Sequence, residues 1–246
     1  MEFLEIKPND KCLIIAPHAD DESIGCGGIL LKYPQNCEVV VLTDGGKGGG
    51  NDSEEAIIKT RLKELQQTMA FAKIKNYRNL MIKDREVAKN LDKIDTLNLK
   101  QYDYIFVPNG YEMHIDHRPI LARVKKILRF WQKTKIISYE VWSPIPNPNL
   151  YFDITGIIEQ KRELISHYKS QIKHNDYANK AISLNHYRGL RVGLGYAEAF
   201  LREMTFAQKY GFCIVRTENR VFVRFLGVKI RVRKEPKFFY KNTCIL

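Results

Sequence analysis

The chain has 246 residues, 44% of them hydrophobic and 28% charged, with a formal net charge of +12. That is long enough for one large α/β domain with an appendage, and the composition is ordinary for a soluble globular protein. The longest apolar runs are about six residues, far short of the ~20 needed to cross a bilayer, and the opening MEFLEIKPNDKCLII lacks the basic-then-apolar order of a secretory signal.

Cys12, Cys26, Cys37, Cys213 and Cys244 form no close pair and no metal-type spacing, which reads as free thiols in a reducing compartment. Cys244 stands third from the end, one position short of a prenylation box. A cytoplasmic location is expected, with room for peripheral attachment at the inner face of a membrane. The charge is uneven: residues 209–246 hold ten Lys or Arg against two Glu, +8 of the net +12.

In chain order, residues 12–17 read as a strand buried on both faces, because the apolar run does not alternate. A helix is expected from Glu22 to Tyr33, and CEVVVLTD (37–44) is a second buried strand broken by GGKGGG (45–50). Ser53, Glu54 and Glu55 cap and charge the start of a helix over 54–73. Its buried stripe is Ile57, Ile58, Leu62, Leu65, Met69 and Phe71. Strands follow at 79–84 and 102–108 around a helix near 86–99, then a helix over 119–131 and a strand over 135–142. This β-α alternation predicts an α/β fold: a Rossmann-like, mostly parallel sheet with helices on both faces. Residues 143–152 read as loop, with helices at 155–169 and 195–208 separated by a polar stretch. The end differs: VFVRF, LG, VKIRVRK alternates apolar and basic residues, as a basic C-terminal β-hairpin does. The expected division is a domain over 1–208 and a basic extension over 209–246.

Three polar segments fall beyond strand ends, where doubly wound sheets bind ligands: PHADDE (17–22), TDGGKGGG (43–50) and MHIDHR (113–118). His18 and Asp21, three apart at a strand-to-helix turn, can aim at one point, and His117 can supply a third ligand. Two imidazoles and a carboxylate suit Zn²⁺ or Fe²⁺, with a position left for water. The bland alternative has Asp20 or Asp21 capping the next helix and Glu22 answering its dipole. The GGKGGG segment lacks the spacing of a nucleotide P-loop and reads as a flexible rim of the pocket.

PHADDE resembles the A/P-H-P-D-D-E signature of the LmbE-like (PIG-L type) N-deacetylases, and HIDH resembles their second motif. TRLKELQQTMAFAKI (60–74), SHYKSQ (166–171) and GYAEAF (195–200) resemble further landmarks, so the likeness spans about residues 11–204. Ala19 and Ile115 replace common prolines, which bears on loop rigidity rather than on chemistry. The resemblance implies metal ligands at His18, Asp21 and His117, a general base at Asp20 and an electrostatic helper at His114. In this assignment His114 acts as an imidazolium, with Asp116 raising its basicity and fixing its tautomer. Arg61 and Asp84 match positions that approach the sugar in relatives; their bland readings are a helix-surface arginine and a strand-end cap.

The implied activity is zinc-dependent removal of acetyl from an N-acetylglucosamine-type sugar or conjugate, with Fe²⁺ as the alternative metal. Two rivals are a metal-dependent glycosyl- or phosphoryl-transfer enzyme, whose Mg²⁺ or Mn²⁺ sites prefer carboxylates over histidines, and a non-catalytic module binding anionic ligands. VRFLGVKIRVRK is similar to short terminal repeats of bacterial surface-polysaccharide enzymes, which points to glycan assembly. Its cations suit an anionic membrane surface or glycan intermediate. No nucleic-acid partner is expected, and a homo-oligomer is compatible with the sequence.

Overall fold

A computed structural model describes residues 2–49, 52–173, 175–211, 213–217, 220–226, 228–234 and 243–244. Its strands are β1 (Glu2–Phe3), β2 (Cys12–Ala16), β3 (Cys37–Thr43), β4 (Asn76–Ile82), β5 (Tyr104–Pro108), β6 (Lys135–Tyr139), β7 (Leu150–Asp153) and β8 (Ala197–Glu203). They form one sheet in the order β1-β7-β8-β6-β5-β2-β3-β4. From β6 through β4 all pairings are parallel, whereas β8 lies antiparallel to both β6 and β7. Among the described residues no helix is long and apolar enough to cross a membrane.

The helices are α1 (Asp21–Lys32), α2 (Glu54–Phe71), the single turn α3 (Asp92–Asp95), α4 (Arg118–Ile127), α5 (Ile158–Ser166), α6 (Lys169–Ile172), α7 (Tyr177–Leu190) and α8 (Phe206–Tyr210). Alternate side chains of one strand enter opposite cores, as the period of two requires. Cys12, Ile14 and Ala16 of β2 pack with Ile29 of α1, Leu65 of α2 and Leu164 of α5. Leu13 and Ile15 pack with Ile94 of α3 and with Ile120 and Val124 of α4. Helices therefore cover both faces, and β2 is buried along its whole length.

The strand order locates the functional edge. β2 has β3 on one side and β5 on the other, so the chain reverses its direction of winding between them. The crevice beyond the carboxyl ends of β2 and β5 is the topological switch point, where α/β sheets bind ligands. PHADDE leaves β2 there and MHIDHR leaves β5 there.

Several elements differ from the sequence reading. Half of residues 195–208, a stretch rich in helix formers, is strand β8, because its apolar part is buried between β6 and β7 and sheet pairing overrides local preference. The expected loop 143–152 ends in β7, and the polar stretch before β8 holds α7. Asp176 caps α7 by accepting from Asn179 N–H at 2.9 Å. The helix expected near 86–99 is broken into short turns around α3.

A second sheet pairs β9 (Cys213–Thr217), β10 (Arg220–Phe225), β11 (Val228–Lys234) and β12 (Thr243–Cys244) in the order β11-β10-β9-β12. The β10 and β11 backbones run antiparallel, with a register shift between Val221 and Phe222. Gly227 and most of the side chains on which the expected basic face rests lie outside the described residues.

Candidate active site

Local backbone aims the first motif. Asp20 occupies the N-cap position of α1 at φ 152° and ψ −31°, and it makes no side-chain cap hydrogen bond. Such a conformation is costly for a residue with a Cβ and persists where the surroundings enforce it. It is enforced from three sides. The Asp20 N–H donates to Glu22 Oε2 at 3.1 Å, Asp21 Oδ2 accepts the His18 N–H at 2.9 Å, and Tyr168 donates to Glu22 Oε1 at 2.6 Å. The acidic run is thus not a helix cap, and Glu22 supports the turn.

Three atoms meet at one point. His18 Nδ1 lies 3.3 Å from Asp21 Oδ2 and 3.3 Å from His117 Nε2, and His117 Nε2 lies 3.2 Å from Asp21 Oδ2. A tetrahedral ion with bonds of 2.0–2.1 Å places its ligands about 3.3–3.4 Å apart, so this triangle has the dimensions of one face of a zinc site. The opposite ring nitrogens are held as metal-binding histidines require. His18 Nε2 lies 3.3 Å from both Asp84 Oδ1 and Asp116 Oδ2. His117 Nδ1 faces Glu112 Oε2 at 3.6 Å, and neither atom has another partner. A second donor set, His18 with Asp84 and Asp116, also falls within cation reach. It fits less well: Asp116 already accepts the Arg85 and Val87 N–H groups, at 2.8 and 3.1 Å, and Asp84 accepts that of Lys47 at 3.1 Å.

The electrostatics favour positive charge at this point. Burial alone would depress the His18 pKa, yet Asp116, Asp21 and Asp84 hold it well above the usual imidazole value. Asp21 is held well below the carboxylate range by the two imidazoles, His117 first, despite its burial. Burial lifts Asp20 to about 7, against the pull of Arg61, whose Nη2 stands 3.5 Å from Asp20 Oδ1.

The cavity in front of these groups measures about 250 Å³ and takes in His18, Asp20, Asp21, Arg61, Asp84 and His114. Arg61 is not on the helix surface. It is 3% exposed, and its Nη2 donates to Ala19 O at 2.9 Å. The glycine loop makes room for it: a Cβ on Gly45 would stand 2.8 Å from Arg61 Nε, and one on Gly48 would stand 2.2 Å from Nη1. Lys47 and Gly48 form part of the rim, and Gln171 donates to Gly48 O at 2.8 Å.

Asp116 departs from its expected role. Its carboxylate lies against His18 rather than His114, and only its N–H meets His114, donating to Nδ1 at 3.3 Å. Burial lowers the His114 pKa. That direction, with Nδ1 accepting an N–H, suits a neutral ring carrying its proton on Nε2 better than the expected imidazolium. Glu112, Trp142 and Tyr177 were not singled out in the sequence. The Glu112 Oε1 accepts from the N–H groups of Val141, Trp142 and Ser143 at 3.2, 3.0 and 3.2 Å. Trp142 and Tyr177 also line the cavity. Glu112, two residues before His114, carried no signal beyond that nearness.

Comparison with known proteins agrees in both sequence and shape. The family model PIG-L: GlcNAc-PI de-N-acetylase matches residues 13–141, a stretch that contains both motifs. N,N'-diacetylchitobiose deacetylase from Pyrococcus horikoshii is 26% identical, with a TM-score of 0.68 over 79% of this chain and 84% of that one. A teicoplanin deacetylase in a zinc-inhibited form is 13% identical, with a TM-score of 0.58 over 78% of this chain and 98% of that one. GalB, the 4-carboxy-2-hydroxymuconate hydratase from Pseudomonas putida KT2440, is 14% identical, with a TM-score of 0.62 over 79% and 96%. The same fold thus serves a different reaction in GalB, and the chemistry must be argued from the site.

Proposed function

The chain belongs to the PIG-L, or LmbE-like, family, and from that premise we propose that it is a metal-dependent hydrolase removing acetyl from an N-acetylglucosamine-type sugar or sugar conjugate. The observation that carries the proposal is the triangle of His18 Nδ1, Asp21 Oδ2 and His117 Nε2, open to a cavity that Asp20 and His114 also face. These three residues would hold the ion, and Zn²⁺ suits the donor set better than Mg²⁺, with Fe²⁺ as the alternative. A divalent ion there supplies a Lewis acid beside the acetamide carbonyl and makes water more acidic.

The protein's own groups do the rest. Asp20 is the base: it accepts a proton from the attacking water as the new C–O bond forms, and returns it to the departing nitrogen as the C–N bond breaks, giving acetate and a free amine. Asp20, lifted by burial to about 7, would be ionised near neutrality with a cation held beside it. Arg61 orients Asp20 through the 3.5 Å ion pair and the bond to Ala19 O. His114, neutral, donates from Nε2 to the carbonyl oxygen as negative charge develops there. Asp84 and Asp116 keep the His18 proton on Nε2, leaving Nδ1 as the ligand atom. Asp84 and Arg61 also offer hydrogen bonds to the sugar at the cavity wall.

The wider part of the proposal is a role in bacterial surface-glycan assembly, with the extension over 209–246 against an anionic membrane or glycan intermediate. It rests on the sequence of that extension alone.

Metal analysis with acetate release from a panel of N-acetylhexosamine conjugates tests the proposal. Asp20→Asn should keep the metal and lower turnover by about 10²–10⁴-fold. If the metal-loaded enzyme releases no acetate from any acetamido sugar, or if Asp20→Asn works at the parental rate, the reading is wrong.

A further inference from the structure

The loop between β5 and α4 carries two sets of side chains in alternation. Glu112 and Asp116 are buried, and His114 between them lines the catalytic cavity. The other three are apolar and face solvent: Tyr111 is 53% exposed, Met113 80% and Ile115 54%. Trp142, 44% exposed, stands next to them, since its backbone N–H donates to Glu112 Oε1 at 3.0 Å. Single exposed apolar side chains are ordinary on a protein surface. Three at alternate positions of one loop, with a tryptophan beside them, make a patch of the kind that marks a docking surface.

This patch projects from the protein. Tyr111, Met113 and Ile115 line neither the catalytic cavity nor the cavity of about 240 Å³ next to it, so they are not the walls of a small-ligand site. Cations flank the patch. Lys83 and Arg85 stand on the turn after β4, and the Arg85 N–H donates to Asp116 Oδ2 at 2.8 Å, which holds that turn against the loop. Arg118 begins α4 directly after the second motif. All three are exposed, and among the described residues their side chains enter no ion pair, while the nearby acid Glu86 is matched by Lys89. The chain as a whole carries +12. An apolar tip inside a cationic rim complements the surface of an anionic bilayer. Apolar side chains pass the headgroups, Tyr and Trp rest at headgroup level, and Lys and Arg stay with the phosphates.

We propose that the loop 111–115 docks the protein on an anionic lipid bilayer. Met113 and Ile115 enter the lipid, Lys83, Arg85 and Arg118 meet the headgroup phosphates, and the catalytic cavity opens at the headgroup layer. This surface is distinct from the extension over 209–246, and the docking does not depend on the acetamide chemistry of the cavity.

Co-sedimentation of the full chain with vesicles tests this without any substrate, using phosphatidylcholine alone or mixed with phosphatidylglycerol. The parent should prefer the anionic vesicles by about tenfold or more at low salt, since each Lys or Arg at such a surface is worth about fivefold in affinity. Salt should weaken the preference. Met113→Ser/Ile115→Ser should lower binding by about tenfold or more through the lost apolar burial, and should melt with the parent because both side chains are exposed. Met113→Ser alone carries the test if the double variant does not fold. Lys83→Ser/Arg118→Ser should remove most of the preference for anionic lipid. In Trp131→Phe, where Trp142 is the remaining tryptophan, brominated lipid in the anionic vesicles should quench its emission. No vesicle binding by the parent, or an unquenched Trp142, overturns the proposal. Equal binding by the parent and the loop variant also overturns it and moves any membrane contact to the extension. Self-association that light scattering shows to depend on Met113 and Ile115, without vesicle binding, overturns it in favour of contact between two copies of the chain.

Discussion

Around Lys161 and Arg188 the protein buries two cations with two carboxylates, Glu198 and Glu140, one partner each. Around His18, among the described residues, it buries Asp20, Asp21, Glu22, Asp84, Glu112 and Asp116 against the single guanidinium of Arg61. The first arrangement is neutral in charge. The second is short of positive charge. Burial pushes the pKa of Asp20, Glu22 and Glu112 upward, while the surrounding acids hold His18 above its usual value. Both responses move the cluster towards neutrality by taking up protons. A divalent cation would achieve the same end while leaving Asp20 free for the role of base proposed above. Matched charge therefore marks scaffold here, and unmatched charge marks the place where a ligand completes the structure.

The contrast breaks first at Lys161. Its ammonium is fully buried and donates to Glu198 Oε1 at 2.7 Å, so Lys161→Met leaves an uncompensated carboxylate in the core. Removing one member of a buried pair typically costs about 3–5 kcal/mol. Denaturant titration should show a loss of that order, and Lys161→Met/Glu198→Met should recover most of it. Metal affinity should not change in either variant. A single variant within about 1 kcal/mol of the parent, well under that typical cost, would remove the distinction between the two clusters.

Glu112 sharpens the other side. Glu112→Gln can keep the three backbone hydrogen bonds through its amide oxygen, so the loop 140–143 should stay in place. Its NH₂ would then face His117 Nδ1 and turn that nitrogen from donor to acceptor, moving the ring proton to Nε2, the atom needed as a ligand. Loss of such an outer partner typically costs 10–100-fold in metal affinity or activity. Metal titration should show that loss, while the metal-free variant melts no earlier than the metal-free parent, because an excess buried charge has been removed. Unchanged metal affinity would mean that His117 is not a ligand.

The sequence was most readable where a strand is buried on both faces. The run Cys12–Ala16 and the run Cys37–Thr43 have no alternation to misread, and their ends match to within a residue or so. It was least readable where small or polar residues do the packing. The buried stripe of α7 is Ala178, Ala181, Ile182 and Asn185, which carries little apolar signal. In β8 the run AEAFLRE has helix-forming composition but lies between two strands that sequence spacing does not reveal. The same limit applies at the site. His18, Asp20, Asp21, His114 and His117 are close together within two motifs, and the strand order brings those motifs to one crevice. Trp142, Tyr177 and Glu112 join them through packing alone, and the carboxylate of Asp116 turned to a different histidine from the one beside it in sequence.

Gln171 is expected to have the smallest effect, since it contributes a neutral hydrogen bond at the edge of the charged cluster. Its Nε2 donates to Gly48 O at 2.8 Å, and next to it Ser170 anchors α6 to Glu64 through N–H and hydroxyl bonds of 2.7 and 2.6 Å. Together these contacts hold the glycine loop against Arg61, which in turn orients Asp20. In Gln171→Ala the Ser170–Glu64 contacts remain, and Gly48 O at the half-exposed rim can turn to water. A typical hydrogen bond contributes about 0.5–1.5 kcal/mol net, so kcat/KM should fall by no more than about tenfold. The loss should lie mainly in KM, because the loop shapes the cavity while Asp20 keeps its bond to Arg61. A hundredfold fall in kcat would show that Gln171 touches the reacting groups, and that the working part of the site extends beyond its unmatched charges into the neutral rim.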